Sequence, residues 1–149
     1  MEHFSKKVEI RWSDLDPNFH LRHSAYYDFG AYCRIAFLTE SGITASYMTG
    51  QQIGPILFRE ECIFRKEIKF GDEITINLKL DKCTPNFSRW TMKHEIWKDE
   101  ATFCAIITID GAWLNTQLRK LTLPGEMIAA VFANAPKTGT FMIGDRNSR

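Results

Sequence analysis

The chain lacks several things. No apolar run in its 149 residues approaches the roughly 20 needed to span a bilayer. The opening stretch Met1–Lys7 has no apolar core of the kind a signal peptide carries. A cytoplasmic protein without a membrane partner is therefore expected. Charge of one sign is also lacking: 19 Lys and Arg face 18 Asp and Glu, for a net charge of +1. No nucleic-acid partner is expected, because such a surface needs a basic excess. A local basic patch for a small anion stays compatible with that balance. Paired cysteines are missing too. Cys33, Cys62, Cys83 and Cys104 are far apart, with no C-x-x-C. Zinc sites favour ligands two to four residues apart, and disulfide frameworks belong to smaller secreted chains. Free thiols and no metal site follow as expectations.

What is present is a globular composition, 44% hydrophobic and 25% charged, unlike that of a disordered chain. The length suits one domain. Val8, Ile10 and Trp12 alternate with Lys7, Glu9 and Arg11, the period of a half-buried strand. Ser13–Asn18, with Pro17, stops it. From Ser24 to Ser41 the period becomes helical, through Tyr26, Phe29, Cys33, Ala36 and Phe37, with Gly42 as a stop signal. Tyr27, Ala31, Ile35 and Leu38 make the other side apolar as well, which predicts a helix enclosed on most sides. Four strands are then predicted at Ile53–Ile68, Glu73–Cys83, Phe87–Trp97 and Ala101–Asn115, separated by Gly71-Asp72, Pro85-Asn86 and Lys98–Glu100. A short helix follows Pro124-Gly125, and the polar tail from Pro136 to Arg149 is expected to be loose. The predicted class is α+β: one long helix wrapped by a curved antiparallel sheet, in a single domain over 1–149. Its core spans about 6–123, with a C-terminal helix at about 125–134.

The polar residues gather between the first strand and the helix. Asp14, Asp16, His20, Arg22 and His23 precede Tyr26. A helix start offers free N–H groups and partial positive charge, which can hold a carbonyl oxygen as it turns negative. Taken alone, Asp16 before Pro17 is also ordinary turn chemistry.

The segment Arg11–Tyr26 resembles the signature loop of hotdog-fold acyl-CoA thioesterases, in particular the 4-hydroxybenzoyl-CoA thioesterase group. Asp14, Asp16 and His20 fit its D-x-D-x-x-G-H pattern, and His23 and Tyr26 stand seven and ten residues after the second Asp. Arg34 in mid-helix and the Gly71-Asp72 hairpin fit too, so the resemblance covers about Val8 to Leu123. Phe19 departs from it, standing where most relatives have Gly. Gly adopts positive φ freely and Phe does not, so a different loop path and a narrower acyl pocket are expected there.

The resemblance implies a hotdog fold and hydrolysis of an acyl-CoA thioester, with coenzyme A as part of the substrate and no separate cofactor. It implies Asp16 as general base or nucleophile, and the backbone N–H near His23 as the group that polarises the carbonyl. It also implies a homodimer or homotetramer with sites between subunits. A long edge strand such as Ala101–Asn115 would suit that pairing. Phe19 and Tyr26 are substrate-binding candidates beside the loop. Glu60, on an apolar strand face, is either a second pocket carboxylate or displaced into solvent by a β-bulge. Lys82 and Arg89, flanking the Cys83–Ser88 turn, are candidates for the CoA phosphates. Asp14 is expected to brace the loop or pair with Arg22, Arg34 to pair with an acid or a carbonyl, and His94 to be a satisfied core histidine. Trp90, Trp97, Trp113 and Phe58 suit either an acyl tunnel or plain packing. The alternatives are a hotdog hydratase or dehydratase, or a non-catalytic acyl-thioester-binding module.

Overall fold

The computed structural model describes residues 1–144. In chain order it contains β1 (Ser5–Val8), a 3-10 turn (Trp12–Asp14), α1 (His23–Glu40), α2 (Ala45–Gln51), β2 (Ile53–Phe64) and β3 (Ile74–Asn77). Then come β4 (Lys79–Cys83), β5 (Arg89–Lys98), β6 (Thr102–Asn115), β7 (Lys120–Leu121), α3 (Glu126–Ala133) and β8 (Lys137–Ile143). The strands form one sheet. Crossing it from one side, β2 pairs with β6, β6 with β5, and β5 with β3 and β4 laid end to end. β1 lies outside β3, and β8 lies parallel to β4. All other pairings are antiparallel, as the short connections require.

α1 packs across one face of the sheet. Ala25, Tyr26, Phe29, Cys33 and Phe37 turn inward at helical spacing and are buried. They meet the inward residues of the strands, among them Ile76, Ile96, Ile107 and Ile109, all 0% exposed. Burying each such side chain is worth about 1.5–3 kcal/mol. Gly30 marks the closest approach: a Cβ there would lie 3.5 Å from both the His94 ring and Ile107.

Several expectations need correcting. α1 is not enclosed on most sides, since Tyr32 and Ile35 are 45% and 44% exposed. The first strand ends at Val8, because Trp12 enters a 3-10 turn and is 69% exposed. The Glu73–Cys83 run is divided at Leu78, whose N–H leaves the ladder to bond the Phe4 carbonyl at 3.1 Å. The polar tail is ordered where described. Thr138 and Thr140 donate to Asp81 at 2.6 and 2.8 Å and fasten β8 beside β4. Residues 145–149 of that tail lie outside the described residues. The short α2 was not anticipated; Thr44 caps it by accepting the Tyr47 N–H at 3.1 Å. Finally, β6 is not an edge strand, because β2 and β5 flank it. The open edge belongs to β2, which pairs only with β6.

Candidate active site

The loop before α1 is drawn into a tight ring by its own backbone. The Asp16 N–H donates to the His20 carbonyl at 2.8 Å, and the Phe19 N–H donates to the Asp16 carbonyl at 3.0 Å. Leu15 and Leu21 bridge across the base. Leu21 N–H reaches the Ile68 carbonyl at 2.8 Å, which ties the ring to the segment after β2. Phe19 sits at φ 64°. The loop therefore keeps the left-handed turn that a glycine would make, at a strain cost of about 1–2 kcal/mol. The Phe19 side chain points away from the interior, 56% exposed, with its centroid 5.6 Å from that of Trp12.

Asp14 is wholly buried and braces this ring, as expected, although its main partner is Arg11 rather than Arg22. The Arg11 backbone N–H and guanidinium donate to its two oxygens at 2.9–3.2 Å. Arg22 stands farther off, at 3.8 Å. The hydrogen bonds from Arg11 hold the Asp14 carboxyl below the usual carboxylate range, against the opposing effect of burial.

Asp16 is partly exposed. One oxygen, Oδ1, accepts the N–H groups of Asn18 and His20 at 2.9 and 3.1 Å. Oδ2 takes neither bond. The turn chemistry of Asp16 is thus real, and it fixes the carboxylate with one oxygen uncommitted. His23 is the first residue of α1 and is exposed, and no side chain caps this helix start. The first N–H groups of α1 stay available to a ligand oxygen. Tyr26, one turn on, packs edge-on against Phe64 of β2 at 4.8 Å. Burial, with smaller effects from Cys62, Cys104 and Asp16, pushes its hydroxyl up to about 12. It is a neutral core aromatic. His20 turns outward toward Glu67, 3.4 Å away.

A second polar group lies farther along α1. Arg34 Nη1 is 3.1 Å from His94 Nε2, and Nη2 is 3.7 Å from Glu60. Burial lowers the Arg34 pKa, opposed by Glu60. A bulge between Leu57 and Arg59 shifts the register of β2. The sequence raised a bulge as the reason Glu60 would face solvent. The bulge is there and Glu60 is exposed, while its carboxylate still comes within 3.7 Å of Arg34 on the helix side. Phe58 instead goes to the other face, where it stacks under Arg89 at 5.2 Å. Lys82 and Arg89 both line a groove on that outer face, of about 670 Å³, with Arg59, Arg65 and Lys93. The fold therefore brings Asp16, His23 and Tyr26 to one end of α1, puts Glu60 at its middle, and leaves Lys82 and Arg89 on the opposite face of the sheet.

Between α1 and the sheet, past Arg34, lies a cavity of about 220 Å³ bounded by Ile35, Leu38, Leu57, Met92, Trp90 and Trp113, among others. Asp16 is not among its walls. Of the aromatic tunnel candidates, Trp90 and Trp113 line it, while Trp97 stacks on Phe103 at 5.2 Å. The sequence offered no clear sign that the cavity would lie so far from the loop. The signal available was the bulge-prone parity of β2.

A long helix laid across a curved antiparallel sheet, with an aspartate loop at the helix start, is the hotdog fold. The sequence profile of the thioesterase-like superfamily matches residues 10–132, and the chain belongs to that family. No curated protein matches the sequence. Solved structures agree on the fold. The Staphylococcus aureus protein SAV2348, determined in complex with CoA, is 16% identical with a TM-score of 0.81, over 92% of this chain and 88% of that one. Slr0204, a 1,4-dihydroxy-2-naphthoyl-CoA thioesterase from Synechocystis, is 13% identical with a TM-score of 0.79, over 89% and 96%. PA5185 from Pseudomonas aeruginosa is 14% identical with a TM-score of 0.81, over 91% and 92%. Among the described residues no helix is long and apolar enough to cross a membrane, and no cluster of possible metal ligands occurs.

Proposed function

We propose that the protein hydrolyses an acyl-CoA thioester to a carboxylic acid and free CoA. The observation that carries this reading is the Asp16 carboxylate, held through Oδ1 by two N–H groups beside an uncapped helix start. The free Oδ2 takes a proton from water as the water oxygen adds to the thioester carbon, or attacks that carbon itself to form a mixed anhydride. The N–H groups at His23 stabilise the oxyanion. The C–S bond then breaks, and the thiolate leaves and takes up a proton; on the anhydride route a water then cleaves the acyl–Asp16 anhydride, which releases the carboxylic acid and restores the Asp16 carboxylate. Unperturbed thiols titrate near ~8.5, so this leaving group needs little help from an acid.

The site is completed by a second copy. β2 has an open edge, and its Leu57, Phe58, Ile63 and Phe64 are 41–51% exposed. α1 runs from the Phe64 end of β2, at Tyr26, toward the Leu57 end, at Ile35. If two β2 edges pair antiparallel, the Asp16 loop of one copy comes to the cavity of the other. Lys82 and Arg89 offer charge for the CoA phosphates only if the nucleotide end of CoA lies on the far side of the sheet from Asp16, in a groove of about 670 Å³ that Glu61, Asp81 and Asp110 also line.

A thiol-release assay over short, medium, long and aromatic acyl-CoAs tests the reaction. Asp16→Asn is expected to lower kcat by ~10²-fold or more on the best substrate. Unchanged turnover in that variant sinks the assignment, and loss in Glu60→Gln alone moves the chemistry to the sheet. Hydration of a crotonyl thioester in place of thiol release identifies a hydratase instead. Lys82→Ala with Arg89→Ala is expected to raise KM for CoA thioesters while sparing the matching pantetheine thioesters. An equal effect on both refutes the phosphate role.

A further inference from the structure

Arg22 is an unusual residue for its place. It is the N-cap of α1, a position that favours Ser, Thr, Asp or Asn, and the first turn of α1 holds no acidic residue. A cation at a helix start works against the helix dipole. The Arg22 side chain is only 34% exposed, although a long charged side chain at a loop surface is free to extend into water. Folding it back costs rotamer freedom, so its contacts have to account for it.

Those contacts run in two directions. Toward the loop, the Arg22 backbone N–H donates to the Asp14 carbonyl at 2.8 Å, and Nε–H donates to the Ser13 carbonyl at 3.1 Å. Toward the helix, Nη1 donates to Ser24 Oγ, and the Arg22 carbonyl accepts the Ala25 N–H at 3.0 Å. Nη2 stands between the two, 3.8 Å from Asp14 and 3.8 Å from Asp28. One planar guanidinium therefore joins the entry of the Asp16 loop to the first turns of α1. The other hydrogen bonds of the loop, among the described residues, close it on itself or tie it to the segment after β2. The Asp16 carboxylate belongs to the loop and the free N–H groups belong to the helix, so the relative placement of these two halves of the site passes through Arg22.

We propose that Arg22 is a positioning residue for thioester hydrolysis, whose guanidinium fork holds the Asp16 carboxylate in register with the N–H groups that start α1. This rests on the thioesterase reading above. Attack on the carbonyl carbon and stabilisation of its oxygen have to happen together, and a displacement of about 1 Å between the groups that do this costs ~10²-fold in rate. Arg22 acts through Ser13 and Ser24 and not on the acyl group, so its loss falls on kcat. Lysine does not replace it: an ammonium on a flexible stem keeps the charge but has no rigid fork to bridge two segments.

The test compares Arg22→Lys, Arg22→Gln and Arg22→Ala with the wild type on the best acyl-CoA. Each variant is expected to lower kcat by ~10-fold or more with KM within about twofold of the wild type. Guanidinium chloride well below denaturing concentration is expected to restore part of the lost rate to Arg22→Ala, and methylammonium chloride is not. Wild-type kcat in Arg22→Lys overturns the proposal, and so does a raised KM with kcat unchanged. Rescue by methylammonium to the same extent as by guanidinium also overturns it. Amide exchange by NMR reads the clamp without turnover. The Asn18, His20 and Ser24 N–H groups are expected to exchange faster in Arg22→Lys, while those of β5 and β6 keep their protection. Exchange at the loop that is unchanged, or faster throughout the molecule, overturns the clamp. If the wild type hydrolyses no acyl-CoA, the thioesterase reading ends, and the exchange result alone then decides whether Arg22 couples the loop to the helix.

Discussion

His94 makes stability depend on pH in a way the structure lets us work out. The ring is 0% exposed. Its Nδ1 lies 2.8 Å from the Asn77 carbonyl oxygen, so Nδ1 carries the proton and donates. Nε2 then accepts from Arg34 at 3.1 Å. A second proton on the ring would face that guanidinium. Burial first, and the Arg34 charge second, push the imidazole down to about 3. An unfolded histidine titrates near ~6.5. Below that value the unfolded chain binds a proton that the native ring refuses, so the stability it contributes is present above ~6.5 and is lost as pH falls toward the folded value. Between pH 8 and pH 5 the loss comes to about 2 kcal/mol, or roughly 4–8 °C in Tm for a domain near this size. Asp14, Asp81 and Glu95, whose pKa values are lowered, act with the same sign only at lower pH. Thermal unfolding of the wild type and His94→Gln at pH 8, 6.5 and 5 isolates the effect. The variant starts lower, having lost the ring, but its Tm falls less on acidification by that margin. Parallel decline of the two proteins would refute a neutral, proton-refusing His94.

Two more perturbations test the frame around the site. Gly111→Ala puts a Cβ 2.4 Å from the Trp90 ring and 2.7 Å from the Ile56 carbonyl oxygen; we expect a cost of about 2 kcal/mol or more in urea unfolding, and an unchanged midpoint would contradict the contact. Ile35→Lys with Leu57→Lys places like charges on the open flank of α1 and β2. Sedimentation velocity is expected to show a dimer or larger in the wild type and a monomer in the variant, whereas a monomeric wild type rules out β2 pairing.

The hotdog fold was legible because its two main signals are strong and local. The α1 period over Ser24–Ser41 and the alternation around Ile74–Leu80 each specify an element without help from the rest of the chain. The loop was legible through its spacing, and Asp14, Arg34 and His94 found partners of the expected kind. The parts that stayed hidden depend on long-range pairing. Pro136–Ile143 carries Thr138, Thr140, Phe141 and Ile143, which suit a strand, but Pro136, Lys137 and Gly139 mask the pattern, and it becomes β8 because Asp81 and the open side of β4 receive it. The bulge at Phe58 is one residue of slippage against β6; the carboxylate of Glu60 on an otherwise apolar parity announced that a bulge was there, but not at which residue. Phe19 shows the reverse. A residue poorly suited to left-handed φ is held there by its surroundings, which residue type alone does not announce.

The two flanks of the sheet are unequal. One is finished by two short pieces of chain, β1 and β8, which offer little length for a newcomer to align with. The other exposes the whole of β2. A molecule that is sticky along only one border uses up its valence in a single embrace. Two copies meeting there close on themselves about a two-fold axis and do not grow into a filament.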